Sequence, residues 1–348
     1  MIVSFKRASA LFAVVMTMSV AVAADPVEDF YKSTRIEIVV GSGVGGGYDT
    51  YARFLGRHMA RHVPGKPTVL IKNMPGAGGM IAGNYVYGQA ARDGSVITHL
   101  QNTLTIEQIS GTPNLKLDMS KFLWIGSMNT QATICVLSGA VEFKSAKDFF
   151  TREYLIGATQ GLGNSTSLVP KMLNTLVGTK FRIVTGYKST SNVVLGIERN
   201  EVQGLCGWGW DSAQVQAASA IDAGKLKVGI DIGNSRHPDL AKRNVPFLMD
   251  MVPEGLNKDA LRVLLSPQSY GRPFAAPPGV PADRLAALRK AFAATLKDEA
   301  FLAEAAKAKL QISYMPPEEI EKHIKDAFAA PEAARNKAIS VLTDARKK

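Results

Sequence analysis

Short apolar runs rich in β-branched residues alternate along this chain with longer stretches in which apolar positions recur every three or four residues. The first run spans residues 36–40 and ends in glycines, and a helical stretch follows over residues 49–63. The alternation continues over residues 68–100 and resumes over residues 153–208, whereas residues 283–345 are mostly alanine-rich helix. This pattern predicts α/β units with parallel strands. At roughly 150 residues per domain, the chain is long enough for about two domains.

The N-terminal residues carry the pattern of a removable signal peptide. Two basic residues precede an apolar run over residues 10–20, and residues 21–23 read Ala-Val-Ala, a small-x-small cleavage signal. The run is shorter than the roughly 20 residues that cross a bilayer as a helix. We therefore expect residues 1–24 to be a signal peptide rather than a buried N-terminal helix.

Charge along the rest of the chain limits the classes of partner. The formal net charge is +11 for the whole chain and +9 without the two basic residues of the predicted signal peptide, which fits nucleic acid, an anionic membrane or an anionic solute, and export argues against nucleic acid. Residues 122–141 carry no charge but have a polar centre at residues 127–131. That centre favours two buried strands joined by a turn over a membrane-spanning helix.

The two cysteines, Cys135 and Cys206, stand outside any CxxC motif and have no histidine nearby in sequence. Neither a redox role nor a metal site is therefore indicated. In an oxidising compartment the two thiols could pair, but a chain of this length can be stabilised by its core alone. We expect two small buried side chains rather than a disulfide.

The most distinctive loop is rich in glycine and runs from Gly41 to Asp49, between a strand and a helix. Glycines let the backbone approach a ligand closely, and a helix N-terminus offers free N–H groups and a positive dipole end. We expect an anion site here, with Asp49 as the N-cap; the alternative is a plain glycine-rich turn. A dinucleotide site is not expected, because no acidic residue follows Asp49 before Asp93.

Two other motifs admit catalytic or metal-binding alternatives. Residues 163–167 begin like a nucleophile elbow, which would make Ser165 the nucleophile of an exported serine hydrolase. The motif ends in serine and no histidine is near, so we expect its polar groups to donate hydrogen bonds to a ligand. His58 and His62 stand four apart on a helix, as metal ligands can, but arginines flank both. A solvated basic face is expected there, and no metal.

Polar and aromatic residues follow two strand ends in the second half of the chain. Lys188 would neutralise a carboxylate or would be a solvated lysine, and both interpretations stay open. Trp208 is expected in the core. Trp210 or Asp211 is expected in a cleft, where an aromatic ring could stack on a planar ligand.

Several of these segments, taken in order, resemble the substrate-binding receptors of tripartite tricarboxylate transporters. The matching segments in the first hundred residues are Gly45-Gly46-Gly47-Tyr48-Asp49, Ala52-Arg53-Phe54-Leu55, Asn73-Met74-Pro75-Gly76-Ala77-Gly78-Gly79 and Asp93-Gly94. Those further along are Gly161-x-Gly163-x-Ser165, Tyr187-Lys188, Ala223-Gly224-Lys225-Leu226 and Ala276-Pro277-Pro278-Gly279-Val280-Pro281-Ala282-Asp283. The resemblance spans about residues 30 to 330. The chain departs from the family pattern at Tyr48, Ser167 and Gly186, where the family has Thr, His and Pro.

The resemblance implies a two-lobed Venus-flytrap fold of the periplasmic binding protein class, type II-like, in which two crossover strands join α/β lobes. Lobe one would comprise residues 25–133 plus 267–348, and lobe two residues 134–266. It also implies a periplasmic receptor that is not an enzyme, holds no cofactor and works with membrane transporter subunits. We expect a monomer.

The ligand implied by the resemblance is a small carboxylate, either a di- or tricarboxylate or an aromatic one, held between two glycine-rich loops. The predicted contacts in lobe one are Gly43, Val44, Gly45, Gly46, Gly47, Tyr48, Asn102 and Thr103. Those in lobe two are Gly163, Asn164, Ser165, Thr166, Lys188 and Asp211. The alternatives are the serine hydrolase and a solute-sensing accessory to a histidine kinase.

Overall fold

The computed structural model describes residues 1, 25–45, 47–159 and 165–346. Nearly all of the predicted signal peptide, and the predicted loop residues Gly46, Gly163 and Asn164, lie outside these ranges. Within them, no helix is long and apolar enough to cross a membrane.

Strands and helices follow one another as the hydrophobic pattern predicts. In the described ranges the strands are β1 (Ile36–Val40), β2 (Val69–Asn73), β3 (Val96–His99), β4 (Leu123–Ser127), β5 (Thr133–Ser138), β6 (Glu153–Thr159), β7 (Lys180–Tyr187), β8 (Gly204–Gly209), β9 (Leu226–Ile232) and β10 (Pro273–Ala276). The helices are α1 (Pro26–Ser33), α2 (Gly47–Met59), α3 (Met80–Gly88), α4 (Leu104–Ile109), α5 (Asp148–Thr151), α6 (Ser165–Val177), α7 (Thr190–Glu198), α8 (Trp210–Asp222), α9 (Pro238–Lys242), α10 (Leu248–Met251), α11 (Leu256–Leu265), α12 (Ala282–Thr295), α13 (Glu299–Lys307), α14 (Pro317–Ala329) and α15 (Glu332–Arg346). The strand predicted at residues 36–40, the helix that follows it, the two strands within residues 122–141 and the strand–helix alternation over residues 68–100 and 153–208 are all present.

The strands form two five-stranded sheets with the same internal arrangement. Sheet one has the order β2-β1-β3-β10-β4, and sheet two has the order β7-β6-β8-β5-β9. In sheet one β1 is parallel to β2 and β3, and in sheet two β6 is parallel to β7 and β8. By contrast, β10 and β5 are antiparallel to both of their neighbours. Each antiparallel strand arrives from the other sheet, so the two predicted crossovers and the two-lobed α/β fold are confirmed.

Both crossovers join the same edges of the two sheets. Ser127 at the end of β4 pairs with Pro273 at the start of β10. Thr133 at the start of β5 pairs with Gly209 at the end of β8. The carboxyl ends of the parallel strands lie at these edges, so the loops after β1 and β3 lie across a cleft from the end of β8 and the start of α6.

Each sheet is covered on both faces, as expected for parallel strands. In β1, Ile36, Ile38 and Val40 pack into a core with α2 and α12, whereas Val39 packs with α3 on the opposite face. The period of two along a strand produces this alternation, and it explains why β1 is apolar at almost every position.

The C-terminal helix packs against lobe two. The apolar side of α15, formed by Ala334, Ala338, Val341 and Leu342, lies in a core with residues of α6 and α11. α12 and α14 pack on sheet one. The chain therefore changes lobes once more between α14 and α15, which differs from the predicted placement of all of residues 267–348 in lobe one. The lobe limits near residues 133 and 267 stay predictions.

Cys135 and Cys206 form a disulfide, so the expectation of two unpaired thiols is wrong. Cys135 in β5 lies opposite Cys206 in β8, and both are fully buried. Their proximity depends on β5 entering sheet two beside β8, which the spacing of the cysteines in the sequence does not reveal.

Candidate functional site

A buried carboxylate, that of Asp49, anchors the loop between β1 and α2. α2 begins at Gly47, so Asp49 lies in its first turn and is not the N-cap that the sequence predicted. Asp49 accepts hydrogen bonds from the Gly45 N–H at 2.8 Å, from Arg53 Nε at 2.9 Å and from Asn73 Nδ2 at 2.9 Å. Burial opposes ionisation of Asp49, but these bonds outweigh burial and lower its pKa. An ionised Asp49 therefore fixes the loop.

The side of the same loop that faces away from Asp49 is exposed at the cleft edge. Gly43, Gly45 and Gly47 are exposed, and Val44 is 76% exposed. Gly45 has φ +81°, in the left-handed region that favours glycine. The first N–H groups of a helix have no intrahelical acceptor, so the 13-residue α2 directs a positive dipole end toward this loop. The structure thus groups these four predicted residues at one edge.

Tyr48 and Asn102 connect the end of β3 to a crossover segment. The Tyr48 hydroxyl lies 3.1 Å from Asn102 Oδ1 and 3.3 Å from the Gly271 carbonyl oxygen. The buried Asn102 amide donates to the Pro267 carbonyl at 2.8 Å. The Asn102 side chain is therefore paired within the protein, whereas Thr103, the next residue, is exposed. Ligand contacts by Asn102 and Thr103 stay predictions.

Hydroxyl groups at the start of α6, on the lobe-two edge, bond to neighbouring backbone. Ser165 is exposed, and its hydroxyl donates to the Gly207 carbonyl at 2.8 Å. The buried Thr166 hydroxyl accepts from the Thr159 N–H at 3.0 Å. A serine nucleophile is activated through a hydrogen bond to a base. The serine hydrolase alternative therefore gains no support from the bond that Ser165 makes.

The aromatic residues after β8 are in the core. Trp208 is buried as expected, but Trp210 is also only 1% exposed, so the expectation that it could line the cleft is wrong. Its ring packs among apolar residues of lobe two, with the Arg243 guanidinium 5.4 Å from the ring centroid. α8 begins at Trp210, which places the indole on the buried side of its first turn. Lys188 is exposed at the end of β7.

An ion pair joins lobe two to the crossover that leads into β10. Asp211, in the first turn of α8, lies 2.6 Å from Nη2 of Arg272, and the two residues are 6% and 4% exposed. The Arg272 guanidinium carbon lies 4.7 Å from the ring centroid of Tyr48 and 5.0 Å from that of Tyr51. Burial alone would lower the pKa of Arg272, but Asp211 and the two tyrosines raise it. The guanidinium is therefore charged at the base of the cleft.

Sequence reasoning missed Arg272 because its position depends on strand direction. β10 is antiparallel to β3 and β4, so its start lies at the cleft edge, where the neighbouring strands end. A single charged residue before the apolar strand at residues 273–276, close to the predicted lobe limit, was the available signal.

Within the described residues, no group of three His, Cys, Asp or Glu side chains is placed to hold a metal ion.

Comparison with known proteins provides independent evidence of the family and the fold. No curated protein sequence matches the chain. The sequence model of the tripartite tricarboxylate transporter family receptor, TctC, matches residues 52–340. A TctC solute-binding protein from Polaromonas superposes with a TM-score of 0.67 at 19% identity, covering 88% of this chain and 99% of that one.

Two Rhodopseudomonas palustris structures are also similar. One, solved with adipate, has a TM-score of 0.63 at 17% identity and covers 88% of this chain and 97% of that one. The other, MatC with bound malate, has a TM-score of 0.59 at 18% identity and covers 89% and 99%. At these identities the structural likeness shows the fold alone, whereas the sequence model covers most of the chain. The chain therefore belongs to the tripartite tricarboxylate transporter receptor family.

Proposed function

We propose that this chain is a periplasmic receptor that binds a small carboxylate in the cleft between its lobes and delivers it to a membrane transporter of the tripartite tricarboxylate type. One observation carries the proposal. The exposed glycine loop that opens α2 lies at the cleft edge, so backbone N–H donors and a helix dipole are directed toward the space between the lobes.

A carboxylate that leaves water needs hydrogen-bond donors to replace its hydration shell. The start of α2 can supply them without a side chain, because the first turn of a helix has N–H groups with no intrahelical acceptor. The helix dipole adds about 0.3–1 kcal/mol of stabilisation for an anion at such a position. The exposed Gly47 and Gly43 have no side chain to keep a ligand from the backbone.

Lobe two would complete the site by closing over the ligand. α6 and α8 also begin at the cleft edge, and Ser165 and Asp211 lie in their first turns. We expect closure to bring the remaining predicted contacts of lobe two, Gly163, Asn164, Thr166 and Lys188, to the same ligand. Closure of two lobes about crossover segments changes the outer surface that a membrane partner recognises.

Thermal unfolding with a panel of organic acids tests the binding step. Adipate and malate head the panel because the similar R. palustris structures were solved with them, and citrate and benzoate extend it. A ligand at a hundred times its Kd stabilises the folded state by about 2.7 kcal/mol, which is visible as a rise in Tm. The uncharged diamides of the same acids are the matched control, and they should leave Tm unchanged. No shift with any mono-, di-, tri- or aromatic carboxylate at millimolar concentration would reject the proposal.

Cell fractionation and uptake test the transport step. The mature chain should be recovered with periplasmic proteins, and deletion of its gene should abolish uptake of the carboxylate that binds in vitro. Restoring the full chain should restore uptake. Normal uptake in the deletion strain, together with lost transcriptional response to the same acid, would instead favour the sensing alternative.

A further inference from the structure

Arg272 is held rigidly at the point where the lobes meet. Its backbone N–H donates to Ser127 Oγ at 3.1 Å, and its carbonyl accepts from the Met128 N–H at 3.0 Å. Its guanidinium lies beside the rings of Tyr48 and Tyr51. Backbone and side chain are therefore both fixed, so little conformational entropy remains to be lost when the guanidinium binds a further group.

The hydrogen-bonding capacity of this guanidinium is only partly used. Asp211 accepts from Nη2, but Nε of Arg272 is buried and has no acceptor among the described residues. A guanidinium carries five N–H donors in a planar fork that matches a carboxylate. A buried donor without an acceptor costs free energy, so a site of this kind favours a further acceptor.

The guanidinium also lies at the helix start that the proposed function uses. A Cβ atom at Gly47 would lie 3.0 Å from Nη2 of Arg272, so the charged group touches the first residue of α2. Two sources of positive potential, the guanidinium and the dipole of α2, therefore meet here, and each buried carboxylate nearby is paired with an arginine, Asp211 with Arg272 and Asp49 with Arg53. The dipole of α2 and the unused N–H donors of Arg272 remain to favour a further anion.

We propose that Arg272 is a specificity-determining residue of this receptor, which takes a carboxylate of the ligand on the N–H groups that Asp211 leaves unused. The inference rests on the proposed function and names the side chain that selects an anionic ligand. Asp211 is then a positioning residue, which holds the guanidinium from lobe two and competes with the ligand for it. The bound carboxylate is shared between Arg272 and the backbone at the start of α2.

This arrangement predicts opposite effects for the two partners of one ion pair. Arg272→Gln removes the charge and should weaken adipate or malate binding at least about tenfold, the usual loss for a charge-assisted hydrogen bond. Asp211→Asn removes the competing carboxylate and should tighten binding by about threefold or more. Arg272→Lys keeps the charge but loses the planar fork, so its affinity should be intermediate.

Isothermal titration calorimetry of the full mature chain with adipate and with malate measures these affinities. Circular dichroism identifies variants that do not fold. Arg152→Gln is the control, because it breaks an exposed ion pair with Glu142 at the opposite end of β6 and should change affinity less than twofold. If Arg272→Gln does not fold, Arg272→Lys and Asp211→Asn decide the question.

Each outcome has a separate meaning. Opposite shifts for the Arg272 and Asp211 variants support the inference. Equal weakening by both would show that the pair acts only by joining the lobes, and unchanged affinity in the Arg272 variants would show that this side chain does not contact the ligand; either result overturns the inference and leaves the proposed function standing. Absence of carboxylate binding by the wild-type chain would reject the proposed function itself.

Discussion

The two edges of the cleft share one strand arrangement but differ in how their buried carboxylates are compensated. On the lobe-one edge, Asp49 accepts bonds from a guanidinium, an amide and a backbone N–H, and its pKa is lowered. On the lobe-two edge, Asp231 at the end of β9 accepts from the His237 N–H at 3.0 Å. One of its oxygens has no hydrogen-bond partner among the described residues, and burial raises its pKa to about 6.

The difference shows that equal topology does not imply equal chemistry. The lobe-one edge is a braced, charged surface, to which the crossover adds Arg272. Apart from Asp211, which pairs with Arg272, the lobe-two edge carries hydroxyl groups bonded to backbone and a carboxylate, Asp231, that burial disfavours as an anion. We infer that ligand charge is read mainly by lobe one and the crossover, and that lobe two closes the site.

The largest expected effect concerns the disulfide, which cross-links lobe two and has no counterpart in lobe one. Cys135 and Cys206 are 71 residues apart, and closing such a loop stabilises a protein by about 4 kcal/mol through the entropy of the unfolded chain. Replacing both by Ala should lower the free energy of unfolding by about this amount, measured by urea denaturation. A reductant should destabilise the wild type but leave the double variant unchanged. Equal stability of the two proteins would contradict the role assigned to the cross-link.

The next effect is at Asp49. Asp49→Asn removes the charge that holds Gly45 and Arg53, and the loss of these charge-assisted bonds should cost about 3 kcal/mol of unfolding free energy. Carboxylate affinity should fall as well, because the loop before α2 loses its support. Urea denaturation and calorimetry measure the two changes. A variant as stable as the wild type would show that Asp49 does not brace the loop.

The same Asp-to-Asn substitution on the lobe-two edge should change the free energy of unfolding in the opposite direction. The folded pKa of Asp231 is above its unfolded value, so folding favours the protonated form and stability decreases as pH rises from about 4 to 6. Asp231→Asn should therefore raise the free energy of unfolding at pH 7 by about 2 kcal/mol and flatten its dependence on pH in that range. Unfolding curves at pH 4, 5, 6 and 7 test this. Destabilisation at pH 7 would mean that the charged form is favoured.

A smaller effect on stability should distinguish Gly47 from Gly43, two glycines of the loop between β1 and α2. A Cβ at Gly47 would meet the Arg272 guanidinium at 3.0 Å, whereas one at Gly43 would meet nothing within 4 Å. Gly47→Ala should cost about 1 kcal/mol and weaken carboxylate binding severalfold. Gly43→Ala is the matched control and should change stability little. If the two variants had the same free energy of unfolding, a side chain at Gly47 would not disturb the contact between α2 and Arg272.

The smallest effect is expected at Lys188, which is exposed on lobe two. Lys188→Ala should change the free energy of unfolding by less than about 0.5 kcal/mol, as is usual for surface residues. Its effect on affinity measures the charge that lobe two contributes to ligand binding. A loss comparable to that of Arg272→Gln would reverse the assignment of charge recognition to lobe one and the crossover.

Most of the fold could be predicted because its signals are local. Apolar runs such as residues 36–40 end in glycines, and helical periodicity follows each run, so element type could be inferred without tertiary information. The glycine loop before α2 and Asp211 could be predicted at the cleft because each directly follows the carboxyl end of a strand, where α/β proteins bind ligands. Family resemblance added the crossovers.

What could not be predicted depends on which strands become neighbours. Cys135 meets Cys206 because β5 inserts beside β8, and Arg272 reaches α2 because β10 is antiparallel in sheet one. Trp210 is buried because α8 begins one residue before Asp211, a boundary that sequence patterns do not fix this closely. The positions of Cys135, Cys206 and Arg272 are set by tertiary strand pairing, which the residues nearby in sequence do not specify.

A crystal structure of the mature chain with the tightest-binding carboxylate of the panel would show whether Arg272 and the start of α2 share the ligand. We expect the ligand between the lobes, with one carboxylate within hydrogen-bond distance of the Arg272 guanidinium and of the first N–H groups of α2. A ligand bound outside the cleft, or in the cleft with its carboxylates directed away from both groups, would contradict it.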